Sequence, residues 1–129
     1  MLASLVIPTF GQLHHIIALC NSLVTFKQDK LLEVIVVDDA YPDYDLTKVI
    51  GFPFKVSRNE KNEGFVKSEN IGAHLIDEKA ELIFFLNSDT IVHENWLDPA
   101  VELFEQNEKI GVVGVILVFP PIERTAKFS

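Results

Sequence analysis

Cysteine occurs only once, at position 20, so no intramolecular disulfide can form. A reducing compartment fits, and Cys20 reads as a small buried hydrophobe rather than a nucleophile. Cationic residues are scarce: 11 Lys and Arg against 19 Asp and Glu leave a net charge of −8. That balance excludes the basic face a nucleic-acid backbone needs and disfavours an anionic membrane as direct partner. A phosphate ester bound here would need a cation or an array of N–H donors to offset the acidity. No apolar run reaches the ~18 residues of a membrane span. The apolar N-terminus lacks a basic leader region and is interrupted by Pro8, so it does not read as a signal peptide. Repeats, low-complexity tracts and internal linkers are absent too. What is present is a globular composition, 48% hydrophobic with ten phenylalanines. In 129 residues it predicts one domain, 1–129, with a substantial core.

The apolar patterning alternates between two periods. Residues 3–7 (ASLVI) predict a buried strand stopped by Pro8. A helix follows from Leu13 to Phe26, with Leu13, Ile16, Ile17, Cys20, Leu23 and Val24 on one stripe and His14 and His15 exposed beside it. Residues 33–37 (EVIVV) form a second strand ending on Asp38 and Asp39. A short helix is expected over 45–50, a strand over 54–58, a loop over 59–64 and a helix over 65–77, with Gly72 as its weak point. Residues 81–86 (ELIFFL) give another strand. A helix over 95–107 is expected to start on an Asp98 cap with Pro99 in its first turn, or earlier at Asn95. A last strand is predicted over 110–119, ended by Pro120 and Pro121. Uninterrupted apolar strands alternating with helices predict an α/β domain with a mainly parallel sheet flanked by helices.

In such sheets ligands bind beyond the carboxyl ends of the strands. Polar clusters stand at those places here: Pro8-Thr9, Asp38-Asp39 and Asn87-Ser88-Asp89. The paired aspartates suit hydrogen bonds from a base or ribose, or a metal, although taken alone they are better explained by an ordinary turn. In NEKNEGFVKSENIG, Gly64 permits a positive φ and close approach to a ligand, flanked by Asn62, Lys67 and Asn70. The bland alternative is a loop with a solvated helix start. In FFLNSDT, Asp89 is a hard oxygen donor suited to Mg²⁺ or Mn²⁺, with Ser88 and Thr90 placed to orient ligands. A strand-closing turn is the alternative.

As a set, LVIPTF, EVIVVDDAYPD, NEGFVKSENIG, FFLNSDT and WL resemble the family 2 glycosyltransferases of Rossmann-like GT-A fold, over nearly the whole chain from residue 3 to about 115. The resemblance implies an inverting, metal-dependent transferase acting on a nucleotide-diphospho-sugar donor and a glycan or lipid-linked acceptor. It implies that Pro8, Thr9, Asp39 and Asp38 serve the nucleoside. Asn62, Gly64, Lys67 and Asn70, with Gly72, would border the donor. Asn87 and Ser88 would lie beside it, and Asp89 would bind the Mn²⁺ or Mg²⁺ carrying the diphosphate. Polysaccharide biosynthesis in the cytoplasm, or at the cytoplasmic face of a membrane, follows from the same likeness. Four departures stand out. Gly11 replaces a common Asn, AYPD replaces the usual Gly-Ser after the aspartate pair, and Asn87 takes the first acidic place of the Asp-x-Asp motif. The chain also ends near Ser129, before the acceptor-side half that supplies a general base, so no catalytic base is assigned. A truncated domain, self-association or a partner chain completing the site are the expectations. A non-catalytic donor-binding domain is the alternative. A phosphoacceptor receiver fits less well, because the acidic pair follows the second strand. A Rossmann dehydrogenase is disfavoured because no G-x-G-x-x-G follows the first strand.

Overall fold

The computed structural model describes residues 1–119. Four strands form one sheet: β1 (Ala3–Thr9), β2 (Leu31–Asp38), β3 (Lys55–Arg58) and β4 (Leu82–Phe85). Three α-helices connect or follow them: α1 (Leu13–Thr25), α2 (Phe65–His74) and α3 (Asp98–Gln106), with a 3₁₀ turn over Leu46–Lys48. The strand order is β3-β2-β1-β4, and every pairing is parallel. Successive strands therefore run outward from β1 to β3, then return to the far side of β1 for β4. This is the topological switch of an open α/β sheet.

β1 and β2 are central because their sequences are apolar on both faces. Leu5, Ile7, Val34 and Val36 pack under Ile16, Leu19, Cys20 and Leu23 of α1. Val6, Ile35 and Val37 point the other way, against Ile71 and Ile76 from α2 and the turn after it. α3 covers the β1–β4 edge on the α1 side through Leu97 and Val101 against Ala3. α2 lies very close to the sheet at Gly72, where a Cβ would overlap Val6 and crowd Val37. The residue read from sequence as the helix's weak point is thus its contact point.

Several expectations need correction. β1 does not stop at Pro8; it runs through it to Thr9. Even-numbered β1 residues turn their backbone polar groups toward β4, as Leu86 N–H donating to the Val6 carbonyl shows, and odd ones toward β2. Pro8 faces the β4 side just beyond the last β1–β4 pair, Val6–Phe85, so its missing N–H costs no ladder bond. On α1 the buried stripe includes Leu19, while Ile17 and Val24 are exposed. α2 ends at His74 rather than at 77. α3 begins at Asp98 with Leu97 as its cap, so Asp98 is the first helical residue, and Asn95 sits outside the helix with φ 56°. The β4 strand is only partly buried, through Leu82 and Phe84 on one face, with Ile83 and Phe85 exposed on the other.

The largest correction is the last strand. Residues 111–119 form no strand, and Val112, Ile116, Val118 and Phe119 are almost fully exposed. Composition suits them to a strand, but a strand needs a neighbour for its backbone groups, and none pairs with them among the described residues. Pro120 and Pro121 lie outside the described residues.

Candidate functional site

The three strand ends meet in a cleft of about 300 Å³ at the switch point between β1 and β4. Pro8, Thr9 and Phe10 come from the end of β1, with Gln12 opening α1. Asp39 follows β2, Phe65 and Ser68 belong to the first turn of α2, and Asn87, Ser88 and Asp89 follow β4. Of the residues singled out in the sequence, Pro8, Thr9, Asp39, Asn87, Ser88 and Asp89 are thus brought together. Asp38, Asn62, Gly64, Lys67 and Asn70 do not line the cleft.

The two aspartates divide into separate tasks. Asp38 is 1% exposed and is not part of the cleft lining. Its Oδ2 takes a 2.6 Å ion pair from Arg58 Nη1 and an N–H bond from Leu46, and its Oδ1 accepts from Tyr41 N–H. Arg58 also donates to the carbonyls of Tyr41 and Tyr44, so this pair fastens the loop after β2 to β3. Asp39 instead holds the loop before α2. Oδ1 accepts from Asn59 Nδ2 at 2.8 Å and Glu63 N–H at 2.7 Å, and Oδ2 from Gly64 N–H at 2.9 Å. Burial pushes the Asp39 carboxyl up. Hydrogen bonding from Asn59, Glu63, Gly64 and Ser68 outweighs that and holds it below the ordinary carboxylate range.

Gly64 caps α2 at φ 88°, a backbone conformation that favours glycine, and so contributes through Asp39 rather than through the cleft wall. Lys67 pairs with Glu63 at 2.6 Å on the surface. Asn62 and Asn70 are exposed. Gly72 packs on the sheet.

The loop carrying Asp89 is pinned at both ends. Leu86 bonds back to β1, and Val92 N–H donates to the buried Ser22 Oγ at 3.1 Å. Between them Thr90 Oγ1 donates to the Asn87 carbonyl, closing the turn and leaving Asp89 exposed at the cleft. Thr9, 4% exposed, belongs to the same cleft lining, and its buried hydroxyl has no hydrogen-bond partner among the described residues.

Among the described residues no three His, Cys, Asp or Glu side chains gather as a metal cage. A single carboxylate at a cleft mouth fits Mg²⁺ or Mn²⁺ only in the mode where ligand phosphates and waters complete the shell.

Phe10, Gln12, Phe65 and Ser68 were not picked out from the sequence, nor were the supports Arg58, Asn59 and Ser22. Phe10 obeys the same strand-end rule as Thr9. Ser68 is one turn into the helix that Gly64 opens. Asn59 and Ser22 carry no local signal.

This is a doubly wound α/β domain with its polar cleft at the switch point. Its sequence matches the family model described as glycosyl transferase family 2 over residues 4–127, and the chain belongs to that family. It is 30% identical over 111 residues to an uncharacterized glycosyltransferase of Haemophilus influenzae, covering 85% of this chain and 37% of that one. It is 28% identical over 104 residues to the inactive polypeptide N-acetylgalactosaminyltransferase-like protein 5 of Mus musculus, covering 74% and 24%. The fold is the GT-A fold of S. aureus TarS. Residues 1–349 of that protein in complex with UDP superpose with a TM-score of 0.69 at 29% identity, covering 84% of this chain and 33% of that one. The chain thus spans between about a quarter and just over a third of these relatives' length. No described helix is long and apolar enough to cross a membrane.

Proposed function

We propose that this chain is the donor-binding part of an inverting, metal-dependent glycosyltransferase, and that the cleft takes a uridine diphosphate sugar. The observation that carries this reading is the convergence of Thr9, Asp39 and the Asn87–Asp89 loop on one cleft at three strand ends. Phe10, half exposed, offers a flat apolar wall for a base. Asp39 Oδ2 carries a single backbone bond and has capacity for an N–H or O–H of base or ribose. The solved complexes of TarS with UDP and with UDP-GlcNAc support the choice of donor class.

Asp89 would hold Mn²⁺ or Mg²⁺ together with the donor diphosphate, and Asn87 and Ser88 would flank it. The cation's chemistry is to neutralise charge that grows on the leaving diphosphate. The protein's own part is to fix the nucleoside between β1 and α2 and aim the sugar outward from the sheet. The acceptor, a glycan or lipid-linked chain, and the base that deprotonates it belong to the rest of the site, supplied by further sequence or a partner chain. Cytoplasmic polysaccharide synthesis is the setting this reading implies.

NMR titration with uridine diphosphate and Mg²⁺ tests the placement. Amides of Thr9, Phe10, Ser88 and Asp89 should shift, and those of Asn62, Lys67 and Asn70 should stay. Shifts confined to α2's outer face would contradict it. A second reading, donor binding without transfer, is favoured by the relative whose name calls it inactive. Transfer by the chain with its natural partner would dismiss it.

A further inference from the structure

Two of the sequence's departures touch each other. Gly11 has φ +74°, and a Cβ there would lie 2.7 Å from Tyr41 Cε2 and 3.0 Å from Cζ, so the Tyr41 ring rests directly on the Gly11 backbone. The ring has little room to move. Phe10 meets it edge to face at 5.1 Å and Tyr44 lies 4.9 Å away. Its backbone is held at both ends, N–H to Asp38 and carbonyl to Arg58 Nη2 at 2.9 Å. Ala40 just before it takes φ 63°, unusual for a residue with a Cβ, which turns the chain so that Tyr41 reaches back across to Gly11.

Tyr41 does not line the cleft; Phe10 does. A residue after a strand end, half exposed and without a neighbour behind it, would sample several rotamers. Tyr41, edge to face against the ring, supplies that neighbour. We infer that Tyr41 is a positioning residue for the nucleobase. It fixes the Phe10 ring as a stacking wall, and Gly11 is the glycine that lets it do so. The inference rests on the proposed donor reading and adds a residue outside the ligand's reach to it.

The test compares affinities of the full chain for uridine diphosphate and for inorganic pyrophosphate, each with Mg²⁺, because only the first has a base to stack. Tyr41→Ala should weaken uridine diphosphate about tenfold, the scale of one aromatic contact, and change pyrophosphate less than twofold. Tyr41→Phe, which keeps the ring, should restore the wild-type value. In a Phe10→Ala background, Tyr41→Ala should add less than twofold. Gly11→Ala, which drives a methyl into the ring, should reproduce the selective loss even where Tyr41→Ala proves unstable. Equal weakening of both ligands, or a full additional loss in the Phe10→Ala background, would overturn the positioning role. Wild-type protein that binds pyrophosphate as tightly as uridine diphosphate, or binds neither, would instead overturn the donor reading and take this inference with it.

Discussion

Asp39 is cleft wall and loop anchor in one side chain, and its loop bonds set its pH behaviour. Its folded-state pKa is lowered, so the stability it lends is complete above the unfolded value of about 3.9 and disappears as pH falls through the folded value. Acidification should therefore free the Glu63 and Gly64 amides before the sheet melts. Hydrogen exchange at those two amides measures it, and unchanged protection down to global unfolding would contradict the latch. Asp39→Ala should cost about 1–3 kcal/mol of stability besides weakening nucleotide binding. Arg58→Met should cost more, about 3 kcal/mol, because it strands the buried Asp38 charge; denaturant melts give both figures. Cys20 is the opposite case. Burial pushes its thiol up to about 11, so a disulfide reagent at pH 8 should leave it unmodified until the protein unfolds. The inert reading of Cys20 was legible from one fact, its place on the helix stripe. The split between Asp38 and Asp39 was not, because both stand at the same strand end, and only the partners Arg58 and Asn59, twenty residues on, tell them apart.

At the scale of elements, α2 sits where it does because Gly72 has no side chain. Gly72→Ala should raise helix propensity and still destabilise the domain by about 1–3 kcal/mol, since the new methyl meets Val6 and Val37. Thermal melting decides, and a stabilised variant would show that helix and sheet can part without cost. Residues 111–119 lie at the other extreme. Their exposed apolar run should drive self-association. Ile116→Lys with Val118→Lys should reduce light scattering at high concentration and leave the melting temperature unchanged. Scattering equal to wild type would remove the role. β1, β2 and the helices were readable because their apolar periods coincide with burial on this same chain. The 111–119 strand was misread because an uninterrupted apolar run states a capacity for pairing and says nothing of a partner. Pro8 was misread for a related reason: whether a missing N–H matters depends on which neighbour it would face, a property of sheet order.

For the whole molecule, the sheet order converts three distant polar clusters into one cleft. Running β1-β2-β3 outward and returning with β4 on the other side puts Thr9, Asp39 and Asp89 at adjacent strand ends, although fifty residues separate the last two. That convergence was legible from the strand-end rule and from the resemblance to family 2 glycosyltransferases. The aromatic side of the cleft was not, because Phe10 and Phe65 look like core residues until their exposure is known. With a net charge of −8, the proposed donor reading calls for a cation beside the diphosphate, and it gives that role to Asp89, the exposed carboxylate of the cleft lining. Calorimetry of uridine diphosphate binding, with Mn²⁺ and then with chelator, for wild type and Asp89→Ala, is the most direct measurement of that claim. Wild type should lose at least tenfold in affinity when the metal is chelated, and Asp89→Ala should bind weakly and equally in both conditions with its melting temperature intact. Tight metal-independent binding by wild type, or undiminished metal dependence in Asp89→Ala, would contradict it.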